Sequence, residues 1–342
     1  MIYLYLFFGF LFGYFLLQAK LNRFDTISGM ATLEDFSVAK AIMLAIGLGL
    51  LLISLEVYLG VAQFHVKPLI PLAIMAGGLI FGAGMAVLGY CPGTLAISFG
   101  EGSMDALAGI VGGITGSVVF YLTAPLLHFL YMPDFGKVTL LTITGDFNLP
   151  YLVMVLLVAY LMIWGAFRLH RLEKGKNMKW MYTGAGLAVL NGLMIMSLTL
   201  NRPVGASSVF PWLGAILTGM TDALWFEKVS SSGSWQIWFL GGAMLAGFVF
   251  SVIRREFRFR VVHSRWEKYK GSSATKRLAY AFAGGFLLLY GARMADGCTS
   301  GHVLSGGMQA AGSSYLFAIF TFTGLLLTGR FFYRKPPMQA TP

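Results

Sequence analysis

The chain has 342 residues, of which 57% are hydrophobic and 11% charged, against about 45–50% and about 25% in ordinary soluble domains. That excludes a soluble enzyme and supplies about 195 apolar residues, enough for about eight or nine crossings of roughly 20 residues each. The formal net charge of +11 then reads as the basic cytoplasmic loops of an all-α polytopic membrane protein rather than as a nucleic-acid surface.

Glycine accounts for 43 residues, about twice its usual share of roughly 7%, which suits close helix packing and irregular loops within a membrane. Two cysteines are too few for a disulfide framework or a thiolate zinc site, and no Cys-x-x-Cys pair is present. Neither a metal nor a cofactor is expected. The N-terminal apolar run lacks a basic flank and a small-residue cleavage site, so it reads as a first span rather than a removed signal peptide.

Apolar runs predict nine spans, at about 1–19, 38–62, 69–90, 104–132, 150–169, 181–200, 235–253, 278–295 and 313–333. A shorter stretch, Pro211 to Phe226, carries Asp222 and reads as a half-helix or re-entrant piece. Between spans five and six lie Arg168, Arg171, Lys174, Lys176 and Lys179. After span seven come Arg254, Arg255, Arg258, Arg260, Arg265, Lys268, Lys270, Lys276 and Arg277, and the tail adds Arg330, Arg334 and Lys335. Nine spans put all three basic segments on one side, so the C-terminus is expected in the cytoplasm and the N-terminus outside. Residues 254–277 interleave basic and aromatic types, including Phe257, Phe259, Trp266 and Tyr269. Lying on anionic lipid is their expected role, so membrane lipid is an expected partner and nucleic acid is not.

The chain also matches itself. An offset of 207 residues aligns Ala76-Gly77-Gly78 with Ala283-Gly284-Gly285, Gly84 with Gly291, and Cys91 with Cys298. An offset of 179 aligns Gly13 with Gly192, Leu21-Asn22-Arg23 with Leu200-Asn201-Arg202, and Ser28 with Ser207. One membrane domain is therefore read as two halves, 1–149 and 181–342, joined by a connector helix and basic loop at 150–180. Five spans separate the two starts, so the second half is inverted, with a site expected at the repeat interface near the midplane.

Four motifs interrupt the apolar sequence: Lys20-Leu21-Asn22-Arg23-Phe24-Asp25, Gly89-Tyr90-Cys91-Pro92-Gly93-Thr94, Asn201-Arg202-Pro203-Val204-Gly205, and Gly297-Cys298-Thr299-Ser300-Gly301-His302. Irregular backbone at membrane depth is tolerated where protein or a water-filled cavity satisfies it, so such stretches tend to line a path. Pro92 follows Cys91 as a first-turn proline follows a cap, and helix N-termini favour anions. A lone cysteine in a span is ordinarily a small apolar packer; the matched placement in glycine-rich motifs instead points Cys91 and Cys298 to substrate. Arg293 and Asp296 are ionisable at this depth, hence candidates, and are also expected to pair with one another. His302 is read first as a structural hydrogen-bonder.

Gly291-Ala292-Arg293, then Gly297-Cys298-Thr299-Ser300-Gly301-His302 and Ser305-Gly306, resemble the signature of the YeeE/YedE family of sulfur-compound permeases, and the first-half cysteine motif looks like its partner. The resemblance runs over essentially the whole chain. It implies an inner-membrane uptake protein, not an enzyme, for thiosulfate or a related sulfur species, with opposed loops forming an hourglass and the thiols of Cys91 and Cys298 meeting the substrate at its waist. In the first motif, thiosulfate-transporting members have a cysteine and this chain has Asn22-Arg23-Phe24-Asp25. Another sulfur oxyanion, sulfide or a selenium compound therefore stays open, as does a thiol redox or sulfur-carrier role. A soluble sulfurtransferase on the cytoplasmic side is a partner this reading leaves open.

Overall fold

Runs of leucine, phenylalanine and alanine with few charges bury their backbone polar groups only as helices when water is absent. The computed structural model describes residues 1–173 and 177–334 and contains fourteen α-helices and no strand among them; Lys174, Lys176 and Lys335 of the basic segments lie outside the described residues. In chain order the helices are α1 (Ile2–Gln18), α2 (Phe24–Ala31), α3 (Ser37–Tyr58), α4 (Pro71–Leu88), α5 (Pro92–Gly100), α6 (Met104–Thr123) and α7 (Leu140–Thr144). They continue with α8 (Leu149–Leu172), α9 (Lys179–Ile195), α10 (Val209–Thr218), α11 (Leu224–Ile253), α12 (Ser264–Lys270), α13 (Ala274–Met294) and α14 (Gly312–Phe332). A π-helical turn, Thr299–Gly306, and a short 3-10 turn, Gly307–Gln309, join α13 to α14.

All nine expected spans are helical. Among the described residues, six helical segments are long and apolar enough to cross a membrane, and α13 with its bent continuation makes a seventh. The shorter α1 and α9, 17 residues each, lie along longer partners, α11 and α3. The chain is a multi-pass α-helical membrane protein.

Two boundaries differ from expectation. The fourth span stops as an α-helix at Thr123 and tightens into a 3-10 turn, Ala124–Tyr131, where Pro125 lacks the N–H that would continue the ladder. The seventh starts at Leu224 rather than 235. Its polar first turns escape a hydropathy reading, but packing holds them: a Cβ on Gly233 would meet the Trp212 side chain of α10 at 2.3 Å. The half-helix expected at 211–226 is realised only over α10, which ends at Thr218; Asp222 falls in the turn before α11, and Phe226 in α11 itself.

Packing repeats itself with the halves exchanged. Helix α1 lies on α11, and the counterpart pair, α9 and α3, does the same; α6 lies on α13, and α14 on α4. Between them α4 crosses its own counterpart α13. A Cβ on Gly77 would meet the Gly291 carbonyl oxygen at 2.8 Å, and one on Gly84 the Gly284 carbonyl oxygen, also at 2.8 Å. Low-numbered residues of α4 thus face high-numbered residues of α13, so the two run antiparallel, as an inverted repeat demands. The turns after them also match: Gly89 (φ +78°) and Asp296 (φ +54°), 207 residues apart, both take the left-handed conformation. The connector α8 packs on α3 and leaves Leu152, Leu156, Tyr160 and Trp164 exposed, an apolar face suited to lipid.

Gly291→Ala places a methyl 2.6 Å from the Gly77 carbonyl oxygen, so it should cost about 1–3 kcal/mol by overpacking. Gly301→Ala, with nothing within 4 Å of its Cβ, should leave stability unchanged. Thermal unfolding of the two variants in detergent checks the difference.

Candidate functional site

Each cysteine is placed by a broken helix. Helix α4 ends at Gly89, the chain turns through Tyr90, and Cys91 becomes the N-cap of α5 with Pro92 in its first turn, as expected. Thr94 completes a capping box: its hydroxyl accepts from the Cys91 N–H at 2.9 Å and lies 3.4 Å from the Cys91 sulfur. Cys298 is the N-cap of the π-helical turn Thr299–Gly306, without a proline or a capping box, and its sulfur lies 3.2 Å from the Ser300 hydroxyl. Helix α5 touches that turn, and the Thr299 hydroxyl lies beside the Cys91 thiol. Thr299 Oγ1 is itself buried without a hydrogen-bond partner among the described residues.

Two polar cavities flank this region. The first, of ≈ 550 Å³, has Cys298, Gly297, Gly301 and His302 in its wall, with Asn201, Arg202 and Lys67 around them. The second, of ≈ 300 Å³, is lined by Tyr90, Ser98, Glu101, Arg23, Arg260 and His263. Both border α11, which gives Trp235 and Gln236 from its interior to the first and leads beyond its C-terminal end into Arg255 and Glu256 of the second. Gln236 and Arg255 are separated by roughly 28 Å at about 1.5 Å per residue, close to the thickness of a bilayer core. The equivalent motifs Asn22-Arg23 and Asn201-Arg202 therefore reach opposite cavities.

Several expected residues have structural partners. Gly89 lies against the Phe24 ring, which a Cβ there would approach to 2.1 Å, and Gly93 against Phe12. Gly297 leaves room for the His302 ring. His302 is the expected structural hydrogen-bonder, with Nε2 2.8 Å from the Ala295 carbonyl and its ring stacked on Phe317. Asn22 is fully buried and donates to Glu101 at 2.5 Å. Arg23 pairs with Glu256 at 2.5 Å, while Arg202 donates to the Ser231 carbonyl at 3.2 Å. Asn201 lies 3.1 Å from His65 Nε2.

Arg293 and Asp296 do not pair as expected. Arg293 donates to the Ser207 hydroxyl at 2.6 Å, and Asp296 takes Lys67 at 3.1 Å; the left-handed turn at Asp296 carries its carboxylate to the linker before α4. The basic segment 254–277 is also only partly a lipid-facing strip. Arg254, Arg255, Arg258 and Arg260 are exposed, but Trp266 and Arg277 are fully buried. Arg265 bonds Glu34 at 2.8 Å and holds its carboxyl below the ordinary value.

What sequence reading missed is the support beneath Cys91. Arg277 donates to Asp105 at 2.6 and 3.0 Å and to the carbonyls of Val87 and Leu88 at 3.1 and 2.6 Å. Tyr90 and His263 complete the cluster, their side chains 2.9 Å apart and both within reach of Asp105. The guanidinium lies over Phe24 at 4.4 Å. The turn from Val87 to Tyr90 is thus tied by its carbonyls, its glycine and its tyrosine. A signal existed: Asp105 and Arg277 each sit in the first turn of an apolar helix, where an ionisable group needs a partner.

Two broken helices that meet in the interior, with a cavity on either side, define the class as a multi-pass α-helical membrane protein with interrupted spans. The chain belongs to the Sulphur transport family, which it matches over residues 24–327. It is similar to the thiosulfate transporter TsuA of Spirochaeta thermophila, at 26% identity over 333 residues covering 92% of this chain and 94% of that protein.

Asp105→Asn leaves a fully buried guanidinium without its counter-charge and should destabilise by about 3–5 kcal/mol. Arg23→Gln, at a pair whose side chains are 33% and 46% exposed, should cost under about 1 kcal/mol. Unfolding midpoints in detergent measure both.

Proposed function

We propose that the protein imports a small sulfur oxyanion, thiosulfate before others, along a path that joins the two cavities and narrows at the Cys91 and Cys298 thiols. The placement of the two cysteines carries this reading: matched positions in the sequence, each at the N-cap after a broken helix, with Cys298 in the wall of the larger cavity and Cys91 at the start of the helix that leads to the smaller one. The thiosulfate-transporting relative supports the substrate.

The chemistry fits. Thiosulfate is a dianion with a soft terminal sulfur. Lys67, Lys137 and Arg202 in the larger cavity attract it. At the waist, N–H groups of the short helices compensate its charge, with Gly93, Thr94, Thr299 and Ser300 as the surrounding contacts. Thiols are weak, polarizable donors, and conduction requires binding weak enough to release. Arg293, close by on α13, adds positive potential, and Arg23 and Arg202 act as charges at the two mouths.

The half-repeats 1–149 and 181–342 belong to this proposal, supported by the exchanged packing. So does orientation in a cytoplasmic membrane. Arg255, Arg258 and Arg260 line the smaller cavity, which makes that end the inner one and places the N-terminus outside. Delivery to a soluble sulfurtransferase at the inner mouth is compatible with this direction.

Cys91→Ala and Cys298→Ala should each reduce labelled thiosulfate uptake by about tenfold or more at wild-type expression, and Cys→Ser, keeping a donor, should retain more at one position at least. A thiol redox cycle instead needs sulfur at both, so equal loss with serine and alanine, together with a trappable disulfide, would replace the permease reading. Unimpaired uptake by both alanine variants would remove the cysteines from the path.

A further inference from the structure

The inner half of the path ends on an acid. Helix α5 carries Cys91 as its cap, then Thr94, Ser98 and Glu101 at spacings of three, four and three, which stack along one helical face. Ser98 and Glu101 line the smaller cavity, so this polar stripe runs from the thiol to that cavity. A carboxylate at its end repels any anion that follows it, and the repulsion is strong where water is scarce. The anion passes only if that charge is cancelled or moved.

Asn22 is built around this carboxylate. Its side chain is fully buried, its Nδ2 donates to Glu101 Oε2 at 2.5 Å, and Ser98 Oγ donates to its backbone carbonyl at 2.5 Å. Its Oδ1 is buried without a hydrogen-bond partner among the described residues, an arrangement that ordinarily costs about 1–3 kcal/mol. One amide can serve both forms of the acid. As it stands it donates to the carboxylate; turned over, Oδ1 accepts from the protonated carboxyl.

Resting on the transport reading above, we propose that Glu101 and Asn22 form the inner gate: the carboxylate, held by the Asn22 amide, closes the α5 stripe to anions, and proton uptake from the inner cavity opens it. The proton comes from inner-cavity water, binds a Glu101 carboxylate oxygen and returns to that water once the anion has left. No bond to the substrate forms and no net proton crosses the membrane. Glu101 is faced by Arg23, Arg260 and Glu256, and Asp25, Tyr90, Arg255, Arg258 and His263 share the cavity. Burial pushes the Glu101 carboxyl above its ordinary value, against the pull of Arg23. The gate therefore closes as inner pH rises and opens as it falls.

The test uses inside-out membrane vesicles bearing the full chain, with labelled-thiosulfate counterflow measured as the medium, which bathes the inner cavity, is taken from about pH 8 to about pH 6. Wild-type counterflow should rise, by up to about tenfold per pH unit above the carboxyl's pKa. Glu101→Gln should be nearly flat and close to the wild-type low-pH rate, Glu101→Asp should keep the slope, and changing lumen pH alone should have no effect. A flat wild-type curve, or an undiminished slope in Glu101→Gln, overturns the gate. Glu101→Ala replaces the glutamine variant should that one not fold. Absence of wild-type counterflow at every pH overturns the thiosulfate reading and the gate with it, whereas counterflow without a Glu101-dependent slope overturns the gate alone.

Discussion

The backbone-to-backbone approach of α4 and α13 is the constraint on which the rest depends. Gly77, Gly84, Gly284 and Gly291 leave no room for a Cβ, and without a hydrophobic drive between helices in lipid, such close packing is the main source of association. Because the two crossing helices are counterparts and run antiparallel, whatever follows one also follows the other from the opposite side. Both cysteine motifs follow them directly. The crossing therefore brings the two cysteine caps, one on α5 and one on the turn Thr299–Gly306, toward each other across the interior.

Some buried charges are fully bonded by their neighbours, while Glu56 Oε2 and Arg293 Nε are buried without a hydrogen-bond partner among the described residues. Asp105 and Arg277 are fully buried, and their several hydrogen bonds turn an expensive pair into an anchor for the turn that carries Cys91. Lys40 is treated likewise, paired with Glu173 where α8 ends against the start of α3. The larger cavity keeps its cations partly solvated: Lys67 remains 50% exposed while bonded to Asp296.

The halves share a backbone but not a chemistry. At equivalent positions, Arg23 is held by a carboxylate and Arg202 only by a carbonyl. Asn22 grips an acid at the end of the α5 stripe, and Asn201 faces an imidazole in open cavity.

Much of this architecture was legible from residues alone. Apolar runs place all nine long helices, because hydrophobic length is a local property that lipid reads directly. The offsets of 207 and 179 expose the repeat, and Pro92 after Cys91 announces a helix start. Errors fall where the deciding partner is distant in sequence. The start of α11 depends on Trp212, the fate of Asp296 on Lys67, and the burial of Arg277 on Asp105, 172 residues away. The Asn22 motif reads as a polar interruption, and only the fold brings Glu101 to it across 79 residues. Hydropathy and spacing determine which segments cross and which are broken, since both act within one helix; which charge meets which is decided by tertiary packing, because hydrogen bonds form between groups that the fold alone makes neighbours.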